Sequence, residues 1–289
     1  MTALRVEVAL KAEADLGEGP LWDPASGSLL WVDINAGLVH RFDPLTGADH
    51  ATGVGQSVGA VAPTLRPDTV VVAVRDGYGS LDLATARFRL IAPVEADVPE
   101  NRMNDGKCDS HGRFWAGTQS LDHALSRAGL YRLELDGSVT PVLTDVSISN
   151  GIGWSPDDRT MYYVDTMTGG LDRLEFEPST GSVRDRRRLV DIPPPEGLPD
   201  GLAVDVEGCI WLALWGGGVI KRFDPTGRLL SSIPMPVRYP TSCAFGGQRL
   251  DTLFITSAKR QMGEVLGGSL FAITPGVTGL LPQAYRGSL

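Results

Sequence analysis

Short apolar runs follow one another along almost the whole chain, each closed by Asp, Gly or Pro. Their order repeats. An apolar opening stretch leads through a turn to a β-rich run, then to a third run ending in another turn. Three copies are clear: Gly19–Asp23, Leu29–Asp33 and Leu38–Pro44; Gly151–Ser155, Met161–Asp165 and Leu171–Pro178; Gly201–Asp205, Cys209–Ala213 and Val219–Pro225. Weaker copies open at Gly106 and Ser242, and the most degraded at Gly59, with Val70–Val74 as its strand. Val, Ile, Trp, Tyr and Phe fill the runs, and Asp, Pro and Gly fill the turns, as strand and turn chemistry require. No stretch keeps a helical period. The step between openings is about 40 to 50 residues, the size of a four-stranded propeller blade. The pattern predicts an all-β protein, a six-bladed β-propeller with four-stranded blades, as a single domain over residues 1–289. The alternating stretch Arg5 to Leu10 is expected to pair with the last blade and close the ring, because radial closure removes free sheet edges. A β-sandwich would want a linker dividing the chain, and none stands out.

Composition narrows the partners. Lys and Arg number 26 against 35 Asp and Glu, a formal charge of −9. Nucleic-acid affinity rests on cations neutralising phosphates, so neither nucleic acid nor an acidic membrane surface is expected as a partner. The triplet Arg186–Arg188 reads as a solvated loop. Three cysteines, Cys108, Cys209 and Cys243, make no disulfide framework and no CxxC. Met1 to Ala14 has no charged segment followed by an apolar one, and no apolar run approaches the roughly 20 residues of a membrane span. A cytoplasmic protein with reduced thiols is the expectation.

The blade openings carry the chemistry. Taking the turn residues Asp23, Asp109, Ser155 and Asp205 as anchors, the positions five residues earlier hold Glu18, Asn104, Asn150 and Asp200. The sixth blade places Thr241 there, and the second Gly59. Pseudo-symmetry predicts that these side chains converge at one mouth of the central channel. Two facing carboxylates repel unless one keeps a proton or a cation lies between them. Carboxylate and amide oxygens are hard ligands, which favours Ca2+, Mg2+ or Mn2+; Zn2+ or Fe2+ would more usually bring histidine. Taken singly, Asn104-Asp105-Gly106, Asn150-Gly151 and Asp200-Gly201 are ordinary turn signals. Their shared register with Glu18 is what points to a metal.

Other motifs fall away. Gly55-Gln-Ser-Val-Gly59 matches GxSxG in letters, but that nucleophile turn needs a following helix, and Ala60–Pro63 continues as strand. The histidines His40, His50, His111 and His123 lack metal spacing such as HExxH.

Leu16-Gly-Glu-Gly-Pro20, Asn101-Arg-Met-Asn-Asp-Gly-Lys107, Ser149-Asn-Gly-Ile-Gly-Trp154, Pro199-Asp-Gly-Leu202 and Pro240-Thr-Ser-Cys-Ala-Phe-Gly-Gly247 together resemble the SMP-30/gluconolactonase family of regucalcin-like sugar lactonases. The resemblance runs over essentially the whole chain. It implies a six-bladed propeller that hydrolyses a small sugar-acid lactone with one divalent cation, calcium first. It further implies Glu18, Asn150 and Asp200 as metal ligands, and Arg102 and Asn104 as substrate-binding residues. Asp200 is then the candidate general base. The family often places a Glu shortly after the Ala116-Gly-Thr118 segment; here Gln119-Ser-Leu-Asp122 follows, and Asp122 reads either as a replacement of shorter reach for substrate contact or as loop. Asp105 reads as a turn residue. Trp215 is read either as lining the substrate mouth or as packing between blades. The loop Asp191–Gly197 is read either as shaping the pocket or as a surface connector. Two other classes share the fold: an organophosphate or aryl-ester hydrolase on the same metal, and a non-enzymatic binding propeller with a structural ion.

Overall fold

The computed structural model describes residues 5–122, 124–260 and 263–289; His123 lies outside them. Its strands, β1 to β24 in chain order, form six four-stranded antiparallel sheets. Five sheets take four consecutive strands each, the first within residues 17–53 and the fifth within residues 198–234. The sixth joins β22 (Pro240–Gly246), β23 (Thr252–Ser257) and β24 (Leu270–Ile273) to β1 (Glu7–Leu10), the N-terminal strand. Glu7 pairs with Ala272 and Val8 with Phe271. The ring is therefore closed by the segment the alternation singled out. No helix among the described residues is long and apolar enough to cross a membrane.

The period of two explains how neighbouring blades share a core. In the strand Thr160–Asp165, Met161 and Tyr163 join a cluster with Trp115 and Leu130 of the preceding blade. Tyr162 and Val164, on the other face, join Leu202, Ile210 and Leu212 of the next. Both faces are buried, so the run is continuously apolar. Trp115 is 0 % exposed; truncating such a side chain to Ala costs about 3–5 kcal/mol.

Two blades carry the same polar lock. Asp109 and Asp205 are each fully buried. Asp109 accepts the backbone N–H groups of His111 and Arg113 on one oxygen, and Arg113 Nε and Trp115 Nε1 on the other. Asp205 accepts the N–H groups of Glu207 and Cys209, then Trp211 Nε1 and Arg222. The Arg132 and Arg222 guanidinium groups lie 5.1 and 5.3 Å from the Trp115 and Trp211 ring centres, within cation–π range. These anchors tie the first strand of a blade to its second and third.

The outermost strands are solvated, and charge protects their free edges. This corrects the reading of Arg186–Arg188 as a loop. They lie on β17 (Ser182–Asp191), where Arg186 and Arg188 each donate at 2.7 Å to a different oxygen of buried Asp172. Alternation sends Arg187 outward to Asp185. Cys108, Cys209 and Cys243 are buried free thiols.

Candidate metal centre

The innermost strands are β2 (Gly17–Asp23), β6 (Val58–Pro63), β10 (Asn101–Cys108), β14 (Ser149–Trp154), β18 (Leu198–Val204) and β22. In every one, pairing with the next strand breaks at the same place. The breaks fall between Glu18 and Leu21, Val58 and Ala60, Met103 and Gly106, Ser149 and Ile152, Pro199 and Leu202, and Pro240 and Cys243. Such bulges leave residues outside the ladder and re-aim their side chains. The unpaired stretches contain Gly59, Asn104, Asn150, Asp200 and Thr241, and the first begins just after Glu18. The Asn-Gly and Asp-Gly pairs that read as turns are bulges inside strands.

Their glycines serve blade contact. A Cβ on Gly151 would stand 2.6 Å from Asp200 O, and one on Gly201 2.1 Å from Ser242 Oγ. Gly59 is held to glycine by the backbone of Met103 and Asn104, 2.6 and 2.5 Å from its virtual Cβ. The second blade thus offers no ligand because β10 presses against it there.

Glu18, Asn104, Asn150 and Asp200 are all at least nine-tenths buried. The Asn150 amide is oriented: Nδ2 donates to Thr166 Oγ1 at 3.1 Å, and Thr166 donates to Pro199 O at 2.9 Å. Asn150 Oδ1 and Asp200 Oδ1 are buried without a hydrogen-bond partner among the described residues. Buried polar atoms are nearly always satisfied, so two orphan oxygens on adjacent blades, with Glu18 in electrostatic reach of Asp200, fit a hard cation. Glu18 Oε2 accepts only the Gly19 N–H, at 2.9 Å, among the described residues. Thr241 is no free ligand: its hydroxyl donates to Gly17 O at 2.6 Å and stitches the sixth blade to the first.

The acids strain against one another. Burial, then the charge of Asp105, pushes Glu18 up to about 8. Burial and the charges of Glu18 and Asp105 push Asp200 well above the carboxylate range. Asp105 is itself raised by burial. Its reading as a turn residue is therefore corrected: it is a buried member of β10 facing the acids, with Gly106 N–H on its Oδ1 at 2.7 Å. Two cations answer these three acids. Arg102 is pushed down to about 10 by burial, opposed by Glu18. Lys107 donates to Leu202 O at 2.9 Å.

Arg102 Nη1 donates to Met103 O at 3.0 Å and to Asn104 Oδ1 at 2.7 Å, while Asn104 Nδ2 donates to Ser149 O at 2.7 Å. No hydrogen bond engages Arg102 Nε or Nη2 among the described residues. Asp122 stands apart. It is largely exposed, accepts the Ser120 hydroxyl and the Ala124 N–H, and lies 4.0 Å from Arg127. Those turn contacts lower its pKa. Trp215 is half-buried, paired with Leu198 at the metal end of β18, its ring 4.9 Å from that of Tyr239. Thr166, which sequence reasoning missed, carries no motif; only its bond to Asn150 reveals it.

Two other places deserve comparison with this ring. Asp205, Glu207 and Cys209 bring possible ligand atoms within 4.8 Å of one another, but both Asp205 oxygens already accept N–H donors. A cavity of about 300 Å³ lies at the opposite ends of the innermost strands, lined by Trp22, Lys107, Trp154 and Phe245. Leu280–Gln283 also line it, and the C-terminal segment reaches the far side of the ring, where Tyr285 N donates to Pro63 O and Arg286 N to Gly112 O.

Buried oxygen atoms at one register of a six-bladed propeller define a class of propeller, and comparison makes this one specific. Residues 16–259 match the model of the SMP-30/Gluconolactonase/LRE-like region, and the chain belongs to that family. Regucalcin of Xenopus laevis is 35% identical over 300 residues, covering 99% of this chain and 100% of that protein. A structure of a calcium-binding regucalcin from Agrobacterium tumefaciens superposes with TM-score 0.93 at 30% identity, covering 98% of each chain. A gluconolactonase structure from Xanthomonas campestris gives TM-score 0.77 at 25% identity, covering 94% of this chain and 89% of that one.

Proposed function

We propose that the chain is a divalent-cation-dependent lactonase opening a sugar-acid lactone to its aldonate. The observation that carries this reading is the pair of buried, unpartnered oxygens, Asn150 Oδ1 and Asp200 Oδ1, beside Glu18. Glu18, Asn150 and Asp200 would hold the ion, calcium by the hardness of the donors; when bound it supplies Lewis-acid polarisation of the lactone carbonyl. Asp200 takes the proton of the water that adds to the carbonyl carbon and returns it to the ring oxygen as the acyl C–O bond breaks, a role typically worth about 10² to 10⁴ in rate. Arg102, held by Met103 and Asn104 through one nitrogen, keeps its other donors for substrate oxygens. Asn104 sets that guanidinium and retains one N–H for a ring hydroxyl. The buried thiols and the charge of −9 agree with a cytoplasmic enzyme of a small molecule.

The test is pH-indicator hydrolysis of gluconolactone, galactonolactone, arabinonolactone and xylonolactone, with chelator and with separate metal add-back. Aryl esters and an organophosphate are run alongside. Turnover of lactones that chelator abolishes and Asp200→Ala removes, with the circular dichroism spectrum kept, supports the reading. Turnover of aryl esters alone would move the chain to the other hydrolase class. Full activity of Asp200→Ala would end the assignment.

A further inference from the structure

The site has a second arginine that no part of the hydrolytic scheme uses. Arg260 follows β23, the second strand of the sixth blade. Leu16 bridges to Ala258, and Lys259 N lies 3.2 Å from both Ala14 O and Asp15 O. The strand therefore delivers Arg260 to the level where the chain enters β2, two residues before Glu18. There its guanidinium carbon lies 5.9 Å from the Trp215 ring centre and its Nη1 3.8 Å from Asp15 Oδ1. Trp215 in turn pairs with Leu198, two residues before Asp200. Arg260 is thus held at the Glu18 and Asp200 end of the innermost strands by segments of the first, fifth and sixth blades. Arg102, two residues from Asn104 toward the same mouth, feels its positive charge.

Its partners do not consume it. The Asp15 contact is long, and the two side chains are 39% and 50% exposed, an ion pair of small worth. Asp15 is also claimed by Asn35 Nδ2, and nearby Glu13 pairs with Lys259. Asp122, the other acid weighed for substrate contact, has its carboxylate engaged with its own turn. Arg260 therefore keeps donors for a ligand at this mouth, while Asp122 stays in its local contacts away from it. A planar guanidinium stacked on an aromatic face is well suited to a carboxylate or phosphate.

Taking the lactonase reading as its basis, we infer that the substrate is an anionic lactone. Its far end carries a carboxylate or a phosphate, which Arg260 over Trp215 receives while Arg102 takes the ring oxygens. An aldaric-acid lactone and a phosphorylated aldonolactone share this chemistry.

The metal-loaded protein separates these cases. Its kcat/KM is measured on neutral gluconolactone, on glucaro-lactone and on 6-phosphogluconolactone, in the wild type, Arg260→Ala and Arg260→Lys. We expect one of the charged lactones to exceed the neutral one by about tenfold or more, the worth of one charge-assisted hydrogen bond. Which of the two leads identifies the anion. In Arg260→Ala the charged-to-neutral ratio falls about tenfold, mostly through KM, and Arg260→Lys restores part of it. Isothermal titration with the corresponding product anion should show a parallel loss of affinity. Efficient hydrolysis of the neutral lactone with no preference for either charged one, or equal losses on all three substrates in Arg260→Ala, overturns the inference and leaves the lactonase reading standing. Hydrolysis of no lactone at all sinks both.

Discussion

Thr166 points Asn150 at the axis. Its hydroxyl accepts Asn150 Nδ2 at 3.1 Å and donates to Pro199 O, next to Asp200, at 2.9 Å. One hydroxyl thus fixes an amide on β14 and braces the strand that carries a carboxylate on β18. Removing it frees the amide to rotate and present nitrogen to a cation. Thr166→Val should lower calcium or manganese affinity about 10- to 100-fold, the usual cost of losing a group that orients a ligand, with little change in the folded spectrum. Titration calorimetry reads it; unchanged affinity would show that Asn150 needs no such brace.

Glu18 makes the metal-free protein pH-sensitive. Folding raises its pKa from 4.5 to about 8, mainly by burial, and Asp200 and Asp105 shift the same way. An acid protonated in the fold and ionised when unfolded favours the native state below its unfolded pKa. That advantage disappears as pH climbs through the folded value. Chelated protein should therefore melt at a lower temperature at about pH 8 than at about pH 5, and a saturating divalent cation should remove most of the difference. Glu18→Gln should flatten the slope and melt higher than wild type at pH 8 without metal, while losing activity. A slope unchanged by this substitution would place its origin elsewhere.

Asp205 offers a contrast between a lock and a ligand. Its carboxylate is surrounded by two backbone N–H groups, an indole and a guanidinium. Asp205→Ala leaves two backbone N–H groups and the Trp211 indole without their acceptor and Arg222 with Glu207 alone, and should cost about 3–5 kcal/mol in urea unfolding. The metal requirement of whatever activity survives should be that of the wild type. A shifted metal titration would instead assign the ion to the Asp205, Glu207 and Cys209 group.

Asp122 is expected to matter little. Its contacts are local, and the side chain is 51% exposed. Asp122→Ala should change kcat/KM by less than about threefold, in the range of ordinary surface substitutions. A larger loss confined to KM would bring it into the substrate site.

The step of the repeat and the common register of Glu18, Asn104, Asn150 and Asp200 were legible because a propeller copies one local plan in sequence. The paired carboxylates announced themselves through charge that has to be neutralised. Bulges were not legible, since Asn-Gly and Asp-Gly serve turns and bulges alike; only the backbone of the adjoining blade decides between them. For the same reason Asp105 read as a turn. The arginine triplet looked solvated because Asp172, its partner, lies 14 residues from Arg186. Arg260 carried no signal at all. Its place follows from three blades meeting, which no local stretch encodes.

One sheet joins Glu7–Leu10 to Leu270–Ile273, strands from opposite sides of the ring's seam. A nascent chain leaving the ribosome exposes Glu7–Leu10 well before Leu270–Ile273, and only then does that edge find its mate. Five blades can form during synthesis, but the join between the first and last is necessarily a late event. Until then that strand leaves a row of unpaired backbone groups, an edge on which another chain can pair.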